Sequence, residues 1–309
     1  MPVERHFILV TPAKAGVHRR LKQVASHTGI IYSEESPLFQ RPVSPAHLSE
    51  VQKPTMKYTF GTDEAAAQRL EEIARFFNPP AVEFIREHVD GPVGSALDLG
   101  CGPGYTTDML SSAIDCPEVY GLDTSSGFLR MAVERFPRCT FVEHDITVTP
   151  FPVQAEIVYV RFLLSHLPDV VGLVKRWTTQ LRAGGKLFIE ELEGVDTEVP
   201  AFKEYLAVNE ALVASQGASL YVGKLLSTGV YDAEVLCNEC INIPVPNHTA
   251  ATWFLPNTLT VWEEQPHIVE NFASARRSEI SSEIRRIKEA GDPRAGNTWK
   301  MRRLVLQKR

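Results

Sequence analysis

A cluster of glycines behind an aspartate carries the clearest chemistry in this chain. The stretch reads Leu97-Asp98-Leu99-Gly100-Cys101-Gly102-Pro103-Gly104-Tyr105-Thr106. Ala96 to Leu99 is a short, mostly apolar run, as expected of a buried strand, and a helical pattern begins near Tyr105. A strand, a glycine turn and a helix start make the place where open α/β sheets bind nucleotide-like ligands. Glycine is needed there because the turn is tight and the ligand approaches bare backbone. The N–H groups at the helix start favour an anionic group. Further along, Asp123 and Asp145 close two more apolar runs, and Glu191 and Glu193 follow a fifth. His166, whose ordinary pKa is about 6.5, is the obvious candidate for proton transfer.

These residues need a scaffold, and the pattern supplies one. Strands are predicted at about 95–99, 119–122, 139–143, 157–160 and 187–190. Helices are predicted between them. One runs from Tyr105 to about Ile114, one carries Phe128, Leu129, Ala132 and Val133, and one carries Val170, Val174, Trp177 and Leu181 and closes at Gly184-Gly185. Strands alternating with helices imply a parallel sheet covered on both faces. Ahead of the sheet, Ala66, Leu70, Ile73 and Phe77 repeat at helical spacing behind Thr62 as a cap. Pro79-Pro80 is expected to end that helix, with Pro80 opening another that buries Val82, Ile85 and Val89. Asn78-Pro79-Pro80-Ala81 superficially matches the N-P-P-aromatic motif of nucleic-acid amino-methyltransferases. Ala81 replaces the aromatic and the run joins helices instead of ending a strand, so the match is rejected. After the fifth strand come a helix at about 197–217, a loop or short helix to Gly229, strand character at 235–245, a helix through Ile280, Ile284 and Ile287, and a last strand at about 299–306.

The spacing G-x-G-x-G, with Asp98 two residues ahead, resembles the first motif of class I S-adenosylmethionine (SAM) dependent methyltransferases. Dinucleotide enzymes prefer G-x-G-x-x-G instead. The resemblance covers about residues 58–192. It includes Asp123 about twenty residues past the glycines, Ser165-His166-Leu167-Pro168 in place of an H-L-x-D turn, and the double glycine before strand five. Glu156, where the family usually has Asp, is a mild departure. The resemblance implies an α/β, Rossmann-like sheet of seven strands, the last antiparallel, with a helical cap inserted after strand five. It implies SAM as cofactor, held by Asp98, Gly100, Cys101, Gly102, Gly104, Asp123, Thr124, Asp145, Ile146, Arg161 and Phe162. Asp123 would take the ribose hydroxyls and Asp145 the adenine amino group, with Ile146 over the ring. Asp98, Arg161 and Phe162 would lie at the methionine end. The acceptor would sit under the cap, against Tyr58, Phe60, Glu191, Tyr205 and Tyr221. Gly217 to Gly223 would be a lid, and His166 the base where one is needed. The aromatics Phe202, Tyr205, Tyr221, Trp253, Phe254 and Trp262 suit an apolar pocket for a small organic acceptor, methylated on O, N, S or C. Methylation of RNA or protein, and SAM binding without turnover, are the alternative readings.

Composition sets the outer bounds. A chain of 309 residues with 44% hydrophobic residues can build one large domain. The expected division is a flexible extension over 1–55 and a methyltransferase domain over 56–309, with cap elements at about 195–235 and 250–290. A net charge of −6 argues against a general nucleic-acid or membrane-surface binder. The basic residues of 276–288 interleave with Glu279 and Glu283, the pattern of a solvated helix face. No apolar run approaches the roughly 20 residues of a membrane span. Five cysteines without framework spacing fit a reducing, cytoplasmic compartment. Cys237-Asn238-Glu239-Cys240 lacks a second ligand pair, and no metal is expected.

Overall fold

Continuous apolar runs become the central strands of one sheet. In a computed structural model, which describes residues 9–10, 61 and 63–309, these are β1 (Ser95–Leu99), β2 (Glu118–Asp123), β3 (Thr140–Glu143) and β4 (Ala155–Arg161). They are followed by β5 (Leu181–Thr197), β6 (Glu234–Pro246) and β7 (Ala295–Gln307). The order across the sheet is β3-β2-β1-β4-β5-β7-β6, and Leu9–Val10 adds a two-residue antiparallel strand beside β3. Strands β1 to β5 run parallel, while β7 lies antiparallel between β5 and β6. The expected seven-stranded Rossmann-like plan is therefore present, antiparallel last strand included. Of the expected extension 1–55, all but Leu9–Val10 lies outside the described residues.

Helices cover both faces. The helices α1 (Glu64–Glu87), α2 (Tyr105–Ala113) and α3 (Ser126–Arg135) are followed, after a short turn at Leu164–His166, by α4 (Val170–Thr179). One face buries Leu97, Leu99, Val158, Val160, Leu187 and Ile189 against Leu173, Val174 and Trp177. The other buries Ala96, Ile157, Tyr159 and Phe188 against Phe84, Ile85 and Leu110. Alternate residues of each strand thus serve opposite cores, which fixes the register.

Two boundaries differ from the sequence expectation. Pro79 and Pro80 lie inside α1 and do not end it. Proline removes backbone donors, so an interior pair normally breaks a helix. Here tertiary bonds hold the segment from both sides. Arg303 donates to the Pro80 carbonyl at 2.9 Å, and the Asn78 side chain donates to the Tyr105 carbonyl and accepts from Arg161. The second difference is strand length. Strand β5 continues to Thr197 because β7 pairs with it from Lys186 to Thr197, and it includes Gly184-Gly185, whose backbone bonds to Lys308.

Past the top of the sheet, this long ribbon carries the cap. Its helices are α5 (Pro200–Ser215), α6 (Gly223–Thr228), α7 (Asn247–Leu259), α8 (Val261–Glu264), α9 (Pro266–Asn271) and α10 (Ser274–Ala290). A separate aromatic core of Phe77, Phe202, Tyr205, Trp253, Phe254, Trp262 and Trp299 holds the cap to α1. The exception is α6, whose Val222 and Leu226 belong to the sheet core. Of the expected lid, Val222 and Gly223 are buried, Gly223 against Glu193, while residues 218–221 are half-buried and Gly217 is exposed. Cys237 and Cys240 sit three apart on β6, facing opposite sides, opposite Val305 and Arg302. Among the described residues no helix is long and apolar enough to cross a membrane, and no group of three metal-ligating side chains gathers.

One buried network ties the layers. Glu190 accepts from Arg303 Nε at 3.0 Å and from the Tyr159 hydroxyl at 2.7 Å, while the Arg303 guanidinium lies over the Phe84 ring. Removing one partner leaves a buried charge uncompensated, so Arg303→Met should cost about 3 kcal/mol in urea unfolding. Adding Glu190→Leu should recover part of that loss.

Candidate active site

The site forms where β1, β2, β4 and β5 end. Asp98 is 1% exposed, and the Thr106 and Thr107 hydroxyls donate to its Oδ2 at 2.5 and 2.7 Å. Burial raises its carboxyl to about 6, while the two hydroxyls and the Arg161 charge pull the other way. Between strand and helix the chain turns at Gly100 (φ +68°) and Gly104 (φ +91°). A Cβ at Gly100 would lie 2.6 Å from Leu163 Cδ1, and one at Gly104 2.9 Å from Phe136 and Phe141, so neither position admits a side chain. Gly102 is different: a Cβ there would meet nothing nearer than Leu70 at 3.8 Å, leaving that approach open.

Several of the loop amides are engaged within the chain. Gly100 N–H and Cys101 N–H donate to the Leu122 carbonyl at 2.8 and 3.1 Å. Gly102 N–H donates to Asp123 Oδ2 at 2.8 Å. The physical reason is that β1 and β2 are adjacent, so the turn after one closes on the end of the other. Asp123 also accepts from Ser125 N–H at 2.8 Å through Oδ1. Burial raises its carboxyl above the ordinary value, against the bonds from Ser125, Gly102 and Thr124. Its oxygens thus fix the loop and still keep lone pairs for a diol. Thr124 beside it is exposed. At the end of β3, Asp145 is exposed and accepts from Thr147 N–H and Oγ1 at 2.9 and 2.6 Å. Ile146 is buried, and its carbonyl accepts from Trp177 Nε1 at 2.8 Å.

The end of β4 is strained and held. Phe162 adopts φ +54°, a left-handed conformation that a non-glycine residue keeps only when its surroundings impose it. Phe162 N–H donates to the Glu190 carbonyl at 3.2 Å, and Leu163 and Leu164 N–H donate to Glu191 Oε1 at 2.6 and 2.7 Å. Glu191 is fully buried, and its Oε2 has no hydrogen-bond partner among the described residues. Burial raises its carboxyl to about 7, with the two amides opposing. It is a loop-holding acid inside β5, where the sequence placed it just past the strand. Arg161, 9% exposed, donates to Asn78 Oδ1 at 2.6 Å. Two and a half helical turns before Asn78, Arg69 is buried in α1, and its charge reaches both His166 and Tyr205. Burial, and then that charge, push the His166 imidazole down to about 4, so it is neutral at physiological pH.

The expected acceptor residues separate into three groups. Glu191 stands at the strand ends. Tyr205 is inside the cap core, stacked at 4.1 Å on Phe254 and 5.5 Å from Trp262, and its hydroxyl accepts from Asn257 Nδ2 at 2.7 Å. Tyr221 is half-buried ahead of α6, and burial, with the Glu210 charge, raises its hydroxyl to about 12. Tyr58 and Phe60 lie outside the described residues. Sequence reasoning missed Asn78, Arg69 and the two threonines. The threonines carried a signal, since they directly follow the glycines. Asn78 and Arg69 carried none, because a polar residue in a helix reads as surface.

With this geometry in view, comparisons with known proteins are informative. Residues 97–189 match the family described as methyltransferase domain. Trans-aconitate 2-methyltransferase of Afipia carboxidovorans is 30% identical over 143 residues, covering 43% of this chain and 56% of the relative. The enzyme of that name from Rhizobium meliloti is 26% identical over 167 residues, covering 54% and 65%. The chain thus spans about half to two thirds of the length of these relatives. Among solved structures, coclaurine N-methyltransferase bound to N-methylheliamine and S-adenosylhomocysteine has TM-score 0.49 at 16% identity, covering 75% of this chain and 72% of that one. A methyltransferase-like protein of Bacillus halodurans also reaches TM-score 0.49 at 16% identity, covering 74% and 97%. The strand order, the glycine turn and the domain match define one class: this chain carries a class I SAM-dependent methyltransferase domain.

The buried Glu191 carboxyl gives a pH signature. Its folded pKa of about 7 lies above its ordinary 4.5, so the folded state holds the proton more tightly. Its contribution is favourable below about pH 4.5 and is lost as pH rises through 7, to a total of about 3 kcal/mol. Asp98 acts in the same direction between about 4 and 6. In denaturant unfolding from pH 4.5 to 8, Glu191→Gln should flatten the upper part of this decline and leave the lower part. An unchanged slope above pH 6 refutes the assignment.

Proposed function

We propose that the protein transfers the methyl group of SAM to a small organic acceptor, leaving S-adenosylhomocysteine, and that residues 56–309 form the catalytic unit. The observation that carries this reading is the junction of β1, the glycine turn and β2, where Asp98, Gly102 and Asp123 converge around an open approach at Gly102. Within it, Asp123 and the neighbouring Thr124 serve the ribose. Asp145 and Ile146 serve the adenine, and Gly100, Cys101, Gly102 and Gly104 form the turn beneath the ligand. Asp98, Arg161 and Phe162 meet the methionine end. The residues present fit the cofactor, since Gly102 leaves an open approach and one nitrogen of the buried Arg161 has no hydrogen-bond partner among the described residues. A cytoplasmic setting accords with five free cysteines.

SAM supplies a methyl group already activated on a positively charged sulfur. The protein's work is then alignment and exclusion of water. In this reading Phe162 and the turn held by Glu191 lie beneath the ligand, with Phe77 of α1 packed against Phe162. A base is needed only where the acceptor must lose a proton. An imidazole at about 4 is a weak base, which suits an acceptor reacting through a carboxylate oxygen or a free amine. The relatives named for trans-aconitate act, by that name, on a carboxylic acid, and the positive Arg69 close to His166 supports an acid acceptor here.

The test uses methyl-labelled SAM with a panel of di- and tricarboxylic acids and with a fractionated extract. Label in a low-mass, protease- and nuclease-resistant product supports the reading. Label in RNA or protein replaces it with the macromolecular alternative, and absence of any transfer with SAM bound leaves a binding protein. With a carboxylate acceptor, His166→Ala should retain kcat within about threefold. A loss of a hundredfold or more with unchanged KM would make His166 the base.

A further inference from the structure

Strand β4 leaves the sheet after Arg161, which pairs with Glu190. Glu191 is thus the first residue of β5 beyond that pairing, and it is wholly buried where the crevice opens. Its Oε1 accepts from Leu163 and Leu164 N–H, so one oxygen is committed to the turn after β4. Leu163 carries that turn onto the glycine turn, since a Cβ at Gly100 would lie 2.6 Å from its Cδ1. The other oxygen, Oε2, has no hydrogen-bond partner among the described residues. A sealed polar atom of this kind is costly, and in a native structure it marks strain, chemistry or a missing partner. The charged groups around it are engaged elsewhere. Arg302, opposite Glu191 on β7, is bonded to Glu193 and Asn238, with Cys240 of β6 beyond it. Arg161 is bonded to Asn78, and Glu190 to Arg303 and Tyr159. Arg69 on α1 acts on His166 and Tyr205, and His166 is itself held neutral. Asp98 on β1 is taken up by two threonine hydroxyls, and Lys224 on α6 is exposed. Burial and the two amides alone therefore set the Glu191 carboxyl, at about 7.

We propose that Glu191 is held as a neutral acid, and that its Oε2–H donates a hydrogen bond to an anionic oxygen of the methyl acceptor. This rests on the acid-acceptor reading above. A carboxyl clamped through one oxygen by two N–H groups carries its proton on the other, and only the protonated form has a donor to offer. Burial without a cation favours that form. The charges are consistent: a neutral donor facing an anion needs no counter-ion, whereas an ionised Glu191 repels it. The clamp also orients the donor, because the two amides fix the carboxyl from the turn that follows the left-handed Phe162. Loss of the proton removes the donor and leaves the clamp intact, since Oε1 accepts from the amides in either state.

Calorimetry tests this on the protein loaded with S-adenosylhomocysteine, with the di- and tricarboxylic acids of the panel as probes, succinate and trans-aconitate among them. Between pH 7 and 8.5 the acids are ionised, His166 is neutral and Asp98 is largely ionised. Over that interval the wild-type dissociation constant should rise about tenfold. Binding at pH 8 should take up close to one proton, read from the heats in buffers of different ionisation enthalpy. Glu191→Gln keeps Oε1 for the amides and offers Nε2–H as a permanent donor. It should bind the acid within about threefold of wild type at pH 7, with neither pH dependence nor proton uptake. Glu191→Ala should bind about tenfold or more weakly than Glu191→Gln. A wild-type affinity that stays flat from pH 7 to 8.5 overturns the proposal, as does a Glu191→Gln protein that keeps the pH dependence. If Glu191→Gln binds the acid normally and loses kcat a hundredfold or more, Glu191 is a base and the proposal falls. Should neither variant fold, wild-type proton uptake decides the matter. Failure of every acid to bind the loaded protein refutes the acid-acceptor reading and this proposal with it, a result distinct from binding without proton linkage.

Discussion

The clasp between the end of β1 and the start of α2 sets the geometry of everything above the sheet. Asp98 reaches forward to Thr106 and Thr107, so a helix begins at a fixed distance and angle from the strand. The intervening glycines permit this, and the Leu122 carbonyl, by accepting from Gly100 and Cys101, ties the turn to β2. Strand, turn, helix and neighbouring strand form one rigid unit. A buried carboxylate is an expensive fastener, and it is used where position matters more than stability.

A second pair of carboxylates performs the matching task on the other side of the crevice. Glu190 and Glu191 are consecutive, so the pleat sends them to opposite faces of β5. Glu190 faces Tyr159 and Arg303 and joins four elements through a buried ion pair. Glu191 faces the turn after β4 and, through two amides, holds the left-handed Phe162 in place. One strand end thereby supports both α1 and the turn after β4. The contrast in chemistry follows from partners: Glu190 has an arginine, whereas Glu191 has only dipoles.

What could be read from the sequence follows the range of the interactions involved. The parallel half was legible because buried strands are continuous apolar runs, and because the glycine spacing and Asp123 are local signals. The ends of β5 and β7 were not, since residues 194–197 become strand only by pairing with residues 297–300, about a hundred positions away. Pro79-Pro80 misled for a related reason. The local rule is sound, and contacts from Arg303, Arg161 and Tyr105 override it. The roles of Asp98 and Glu191 were only half visible: acidic residues at strand ends were expected to face ligand, and both chiefly face backbone or hydroxyl groups of their own chain. The aromatics of 202–262 were expected to line an acceptor pocket, but Tyr205 stacks on Phe254 and Trp262 as the core of the cap.

The distribution of charge within the crevice explains why such a site works with little acid–base apparatus. Arg69 and Arg161 are buried cations contributed by α1 and β4, while Asp98 and Asp123 are the anions below them. In a region that excludes water, fixed charges of this kind interact strongly with a charged ligand and do not reorganise as the reaction proceeds. Under the proposed reading, a cationic methyl donor is matched by the carboxylates at the strand ends, and Arg69 on α1 is the cation left over for an anionic acceptor. Transfer between two such partners cancels charge, so stabilisation must come from holding them in line more than from moving a proton. The neutral His166 fits that division of labour, because burial first and the Arg69 charge second hold its imidazole uncharged, so it adds no charge of its own to the site.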